Sequence, residues 1–110
     1  MGRLNNIYNS SKWRALRERK IQNSPICELC NTIDILTPAA EIDHWLEIID
    51  FRMLIWDLDN LVSLCAPCHR QKTAEYRRIR ATPHKLIHWC MDYKPSPMSD
   101  AHIHILRQYK

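Results

Sequence analysis

Apolar and polar residues follow distinct rhythms along this chain, and each rhythm predicts a different element. From about Lys12 to Gln22, Trp13, Leu16 and Ile21 fall near one helical face among Lys and Arg residues, and Asn9, Ser10 and Ser11 offer N-cap side chains ahead of them. Ala40-Glu41-Ile42-Asp43-His44-Trp45 reads as a short strand, and Leu61-Val62-Ser63-Leu64 as its partner. A second helix is expected from Ala66-Pro67, where proline is tolerated in the first turn, to about Arg80. A third starts at Thr82-Pro83 with Leu86, Ile87, Trp89 and Tyr93 as apolar contacts, and Pro95-Ser96-Pro97 ends it. The tail from Asp100 is too short for a pattern to decide. The connection from Trp45 to Asp57 is unusually apolar. Packing as a small core over the hairpin is the preferred reading, and a patch for a partner or a second copy is the alternative.

At 110 residues the chain is read as one domain, residues 1–110, with a core over about 8–80 and a helical C-terminal extension over about 82–110. A chain this short benefits from a staple, and five cysteines are available for one. No apolar run is long enough to span a membrane, and Met1 to Asn6 lacks a signal-peptide core, so an intracellular location without membrane attachment is expected. Disulfides are rare there, which turns paired cysteines toward metal. Cys27 and Cys30, then Cys65 and Cys68, form two CxxC pairs. Four thiolates fill the zinc tetrahedron with no open position, so the expected ion is a structural Zn²⁺. Cys90 is left over and is expected in the apolar core.

The net charge of +4 conceals an asymmetry. Arg3, Lys12, Arg14, Arg17, Arg19 and Lys20 oppose only Glu18, and Arg70, Lys72, Arg77, Arg78 and Arg80 oppose only Glu75. Between these segments Glu28, Asp34, Glu41, Asp43, Glu47, Asp50, Asp57 and Asp59 face the single cation Arg52. Two basic flanks around an acidic, histidine-bearing centre suit a polyanion held on both sides of a cation site, although solvated helix faces would carry the same runs.

The zinc tetrahedron leaves Asp43-His44, Asn60 and His69 unspent. Together with the Trp-Arg helix, both CxxC pairs, the Leu58-Asp59-Asn60-Leu61 turn and the Cys68-His69-Arg70-Gln71-Lys72-Thr73 helix start, this ordered set resembles the HNH nuclease family, of the small zinc-stapled kind common in bacteriophages. The resemblance spans roughly Tyr8 to Thr73. It implies an α+β, treble-clef-like ββα-metal fold with flanking helices that hydrolyses DNA phosphodiesters. By that resemblance His44 is the general base, Asn60 braces the hairpin and orients the imidazole, and Asp43 and His69 hold one catalytic divalent ion, Mg²⁺, Mn²⁺, Ni²⁺ or Zn²⁺. DNA is the expected partner, with Lys12, Arg14, Arg17, Arg70, Lys72, Arg77 and Arg78 as phosphate contacts. Packaging beside a phage terminase, homing and restriction all stay open, in the cytoplasm of a bacterial host if the chain is phage-encoded.

Adjacent strand residues point to opposite faces, so Asp43 and His44 can share a site only if a twist or bulge re-aims one of them. The chain also departs from the family pattern. No proline follows His44 closely, and Thr73 stands where some members place a third metal-binding histidine. His84 and His88 share a helix face without the glutamate of a metalloprotease motif, and His102 and His104 carry no signal. The competing reading is a zinc-stapled adaptor that keeps the fold without cleaving.

Overall fold

The computed structural model describes residues 6–95 and 100–108. In chain order the elements are α1 (Ser11–Asn23), α2 (Glu28–Asn31), β1 (Glu41–His44), β2 (Leu61–Leu64), α3 (Ala66–Ile79), α4 (Pro83–Tyr93) and α5 (Asp100–Gln108), with 3₁₀ turns at Arg52–Leu54 and Leu58–Asn60. This is the small α+β arrangement expected, a two-stranded antiparallel hairpin with helices around it. Ser10 caps α1 by accepting from the Trp13 amide at 3.1 Å, and a proline in the first turn opens both α3 and α4. Ser96 and Pro97 of the expected helix break lie outside the described residues. The tail that the sequence left unclassified holds a helix, which buries His102 and Leu106. A histidine at a buried position had hidden its apolar period.

β1 and β2 pair in regular register, Glu41 with Leu64, Ile42 with Ser63, Asp43 with Val62 and His44 with Leu61. The pairing contains no bulge. Burial alternates along β1, with Ile42 and His44 buried and Glu41 and Asp43 partly exposed, as period-two geometry requires.

The apolar connection after β1 folds into core. Trp45, Leu46, Phe51 and Leu54 join Val62, Leu64, Tyr76, Leu86, Trp89, Cys90 and Leu106 in one cluster, so the connection, α3, α4 and α5 share a single interior. Trp45 stacks on Trp89 with ring centroids 4.4 Å apart and planes 9° apart, a contact worth about 0.5–1.5 kcal/mol beyond its buried area. Asp50 ties the same connection to α3, accepting from Tyr76 Oη at 2.7 Å and from the Arg80 guanidinium at 2.6 and 3.1 Å. Cys90 is fully buried, as expected of the odd cysteine, and burial pushes its thiol up to about 12. A smaller cluster of Trp13, Ile42 and Leu61 pins α1 to the hairpin. Among the described residues no helix is long and apolar enough to cross a membrane.

Candidate functional site

The two CxxC pairs converge. Cys27, Cys30, Cys65 and Cys68 offer sulfurs that all lie within 4.8 Å of one another. Cys30 Sγ is 3.8 Å from Cys65 Sγ and 3.7 Å from Cys68 Sγ. Those gaps are far beyond a disulfide bond, and they match the edge of about 3.8 Å expected when four sulfurs surround an ion at about 2.3 Å. The first pair is shaped by a knuckle in which the Cys27 amide donates to Thr37 O at 2.7 Å and the Ile33 and Ile35 amides both donate to Cys30 O. Asp34 takes a φ of 61° at the turn, a conformation that Asp tolerates better than bulkier residues. The second pair opens α3. Burial opposes ionisation of Cys27, but hydrogen bonds from the Cys30 and Cys65 backbone outweigh it and lower the thiol to about 7. Burial and the neighbouring thiols drive Cys68 upward. Thiols packed this closely cannot all ionise unless a cation joins them.

A few residues away, β1 and α3 form a cleft of about 350 Å³ lined by Tyr8, Arg17, Glu41, Ile42, Asp43 and His69. His69 follows Cys68 directly, so the helix start that completes the sulfur cluster also delivers this imidazole. Glu41 Oε2 meets His69 Nδ1, and His69 Nε2 lies 3.6 Å from Asp43 Oδ2. A cation about 2.1 Å from each of Nε2 and Oδ2 would span that gap, with Glu41 holding the far ring nitrogen. Glu41 Oε2 and Asp43 Oδ2 are buried oxygens that face His69 and, for Asp43, also the Lys72 ammonium, so carboxylate oxygens and an imidazole nitrogen converge in one place. The donor set therefore fits a divalent cation.

Lys72 corrects an expectation. Its side chain is fully buried, so it is not one of the surface cations of α3. The ammonium lies 2.9 Å from Asp43 Oδ2, donates to the His44 carbonyl at 2.5 Å and stands 5.2 Å from the centre of the Tyr76 ring. Helical phase explains the burial, because residues 69, 72 and 76 line one face of α3. Lys12, Arg14, Arg17, Arg70, Arg77 and Arg78 are exposed. Of these Arg17 reaches the cleft, whereas Arg78 lines a separate cavity with Trp89 and Tyr93.

His44 faces away from Asp43, as strand alternation dictates. The ring is buried, stacks on Trp13 with centroids 4.9 Å apart and directs Nε2 to the Ile55 carbonyl at 3.0 Å. A carbonyl can only accept, so Nε2 carries the proton and Nδ1 keeps the lone pair. Burial holds the imidazole below its ordinary pKa, opposed only in part by the Ile55 carbonyl, and the ring is neutral near pH 7. The Tyr8 hydroxyl stands 3.3 Å from that lone pair. Burial pushes the Tyr8 phenol up to about 12, and the Asp43 and Glu47 carboxylates add to the shift.

Asn60 is fully buried and clasps one residue, its Oδ1 accepting from the Leu46 amide and its Nδ2 donating to the Leu46 carbonyl, both at 3.0 Å. The clasp fixes the chain just after His44 and does not touch the imidazole. His84 and His88 are exposed on α4, away from both clusters.

Tyr8 and Glu41 join the site without being marked by any motif. Glu41 was legible, since it shares the partly exposed face of β1 with Asp43 two residues on. Tyr8 was not, because its partner is 36 residues away.

Comparisons with known proteins agree with this geometry. Residues 27–75 match the family model described as HNH endonuclease. A probable HNH endonuclease of Lactococcus phage SK1 is 33% identical, with 64% of this chain aligned to 79% of that protein. Among solved structures, the HNH endonuclease of the deep-sea thermophilic bacteriophage GVE2 with manganese ion superposes with a TM-score of 0.67 at 31% identity, covering 70% of this chain and 85% of that one.

Proposed function

This chain belongs to the HNH endonuclease family, and on that premise we propose that the cleft between β1 and α3 hydrolyses DNA phosphodiester bonds with one divalent cation held by Asp43 and His69. The observation that carries the reading is the pairing of His69 Nε2 and Asp43 Oδ2 at 3.6 Å in a cleft whose rim includes Arg17. Glu41 orients His69 through Nδ1, a carboxylate–histidine arrangement that fixes the tautomer and raises ligand basicity. A bound cation supplies charge stabilisation for the phosphorane-like transition state and the leaving oxygen. Mg²⁺, Mn²⁺, Ni²⁺ and Zn²⁺ all suit a mixed carboxylate and imidazole set. The four-sulfur cluster is a structural Zn²⁺ site that fixes the start of α3.

His44 serves as general base. Its neutral ring, the Nε2 proton engaged by the Ile55 carbonyl and the Nδ1 lone pair facing the Tyr8 hydroxyl support that role. Asn60 keeps the strand end in place by clasping Leu46. Lys12, Arg14, Arg17, Arg70 and Arg77 supply phosphate contacts, which give affinity without reading sequence. Nicking of supercoiled plasmid across the four metals tests the reading. His69→Ala should lose both cleavage and Mn²⁺ binding measured by calorimetry. Full cleavage by that variant, or by the wild type after every divalent ion is removed from the cleft, would contradict it.

A further inference from the structure

The general-base reading leaves a gap in the geometry. His44 is 1% exposed and is not among the residues lining the cleft, whereas Asp43 and His69 are. β1 is paired in regular register, without the bulge that would turn His44 toward Asp43. A water beside the cation site therefore has no direct path to Nδ1. One residue bridges the two places. Tyr8 lines the cleft and also holds its hydroxyl 3.3 Å from His44 Nδ1. The Tyr8 ring is fixed by an edge contact to Trp13, centroids 5.3 Å apart at 84°, and Trp13 in turn stacks on His44. The three rings form one packed unit that aims the phenol at the imidazole. Tyr8 precedes the 27–75 segment that matches the family model.

We propose that the Tyr8 hydroxyl relays the proton from the attacking water to His44. The inference rests on His44 being the base. In this step the water O–H bond breaks and its proton passes to Tyr8 Oη as the phenolic proton passes to His44 Nδ1. The water oxygen's electron pair forms the new bond to phosphorus, and the bond from phosphorus to the 3′ oxygen breaks with its pair leaving on that oxygen, which takes a proton from solvent. His44 becomes the imidazolium, Tyr8 is regenerated neutral with its hydrogen replaced, and the imidazolium later returns its proton to solvent by the reverse path. No redox partner or further co-reactant enters. Two hydrogens move together, where direct abstraction by imidazole would move one.

The test compares wild type, Tyr8→Phe and His44→Gln under single-turnover conditions, with zinc content and DNA affinity measured alongside. Tyr8 is 41% exposed and phenylalanine keeps its ring contacts, so the variant should fold. The relay predicts that Tyr8→Phe slows cleavage about 10²-fold with DNA affinity unchanged. It also predicts that a wild-type proton inventory in H₂O/D₂O mixtures is bowed, as for two moving protons, and becomes linear in Tyr8→Phe. If His44→Gln is inactive while Tyr8→Phe matches or exceeds the wild-type rate, the relay is overturned and the base assignment stands. If Tyr8→Phe is slow but the wild-type inventory is linear, Tyr8 only shapes the site and the relay is again overturned. If His44→Gln cleaves normally, both the base assignment and the relay fail.

Discussion

Lys72 Nζ lies 2.9 Å from Asp43 Oδ2 and 2.5 Å from the carbonyl oxygen of His44, so one buried ammonium joins the proposed metal ligand to the backbone of the proposed base. The cleft thus holds a fixed positive charge on the oxygen that would face the catalytic ion. An ion entering there shares Asp43 with Lys72 and is repelled by it.

Lys72→Met should therefore bind Mn²⁺ several-fold more tightly than wild type in calorimetry, because Asp43 loses its competing cation. Cleavage should nevertheless fall, because the His44 carbonyl loses the tether that holds the strand end against α3. Weaker metal binding by this variant would show that Lys72 builds the ligand geometry rather than competing for it.

Asn60 makes a second tether. Asn60→Ala leaves the amide and carbonyl of Leu46 without their side-chain partner in a fully buried setting, at a cost of roughly 1–3 kcal/mol per orphaned group. Denaturant unfolding should record that loss, with cleavage reduced alongside it. Asn60→Asp keeps the acceptor but turns a buried carboxylate oxygen on the Leu46 carbonyl, and it should be no more stable than Asn60→Ala. Equal stability of Asn60→Ala and wild type would contradict the clasp.

These tethers also show what the sequence made legible. The CxxC pairs and the order Asp43-His44, Asn60, His69 could be read because their spacing is local and their chemistry is scarce. Strand alternation correctly put Asp43 and His44 on opposite faces, and no bulge re-aims either of them; Tyr8 lines the cleft with Asp43 and stands 3.3 Å from His44 Nδ1. That contact joins residues 36 apart, and no periodicity reports it. Lys72 falls in one basic run with Arg70, Arg77 and Arg78 by composition, but its phase with His69 and Tyr76 marks the inward face of α3. The apolar content of the connection after Trp45 points to core, and Trp45, Leu46, Ile48, Phe51 and Leu54 are buried while Ile49 and Met53 stay exposed.

Metal removal from the cysteine cluster should unfold the domain. Structural zinc contributes on the order of 10 kcal/mol in zinc-finger peptides, comparable to the whole stability of a small domain. Cys68→Ser or a strong chelator should collapse the thermal transition seen by circular dichroism, and cleavage should go with it because His69 follows Cys68. An unchanged transition after demonstrated zinc release would refute the staple.

Acid sensitivity has a source outside the cleft lining. Burial, with Lys94 adding to it, holds His102 below its ordinary pKa of 6.5. The unfolded chain then binds more protons than the folded one below about pH 6.5, so this histidine's contribution is intact above that value and is lost as pH falls through it. His102→Leu should lose less melting temperature than wild type between pH 7.5 and 5.5. Parallel curves for the two proteins would exclude His102 as the cause.

In the proposed mechanism, hydrolysis starts as His44 takes up the proton of the attacking water. Nicking of supercoiled plasmid by His44→Gln beside wild type, in the metal that best supports the wild type, tests it most directly. The variant should lose about 10²–10⁴-fold in rate with zinc content and DNA affinity retained. Undiminished nicking by a folded, zinc-loaded His44→Gln protein would contradict it.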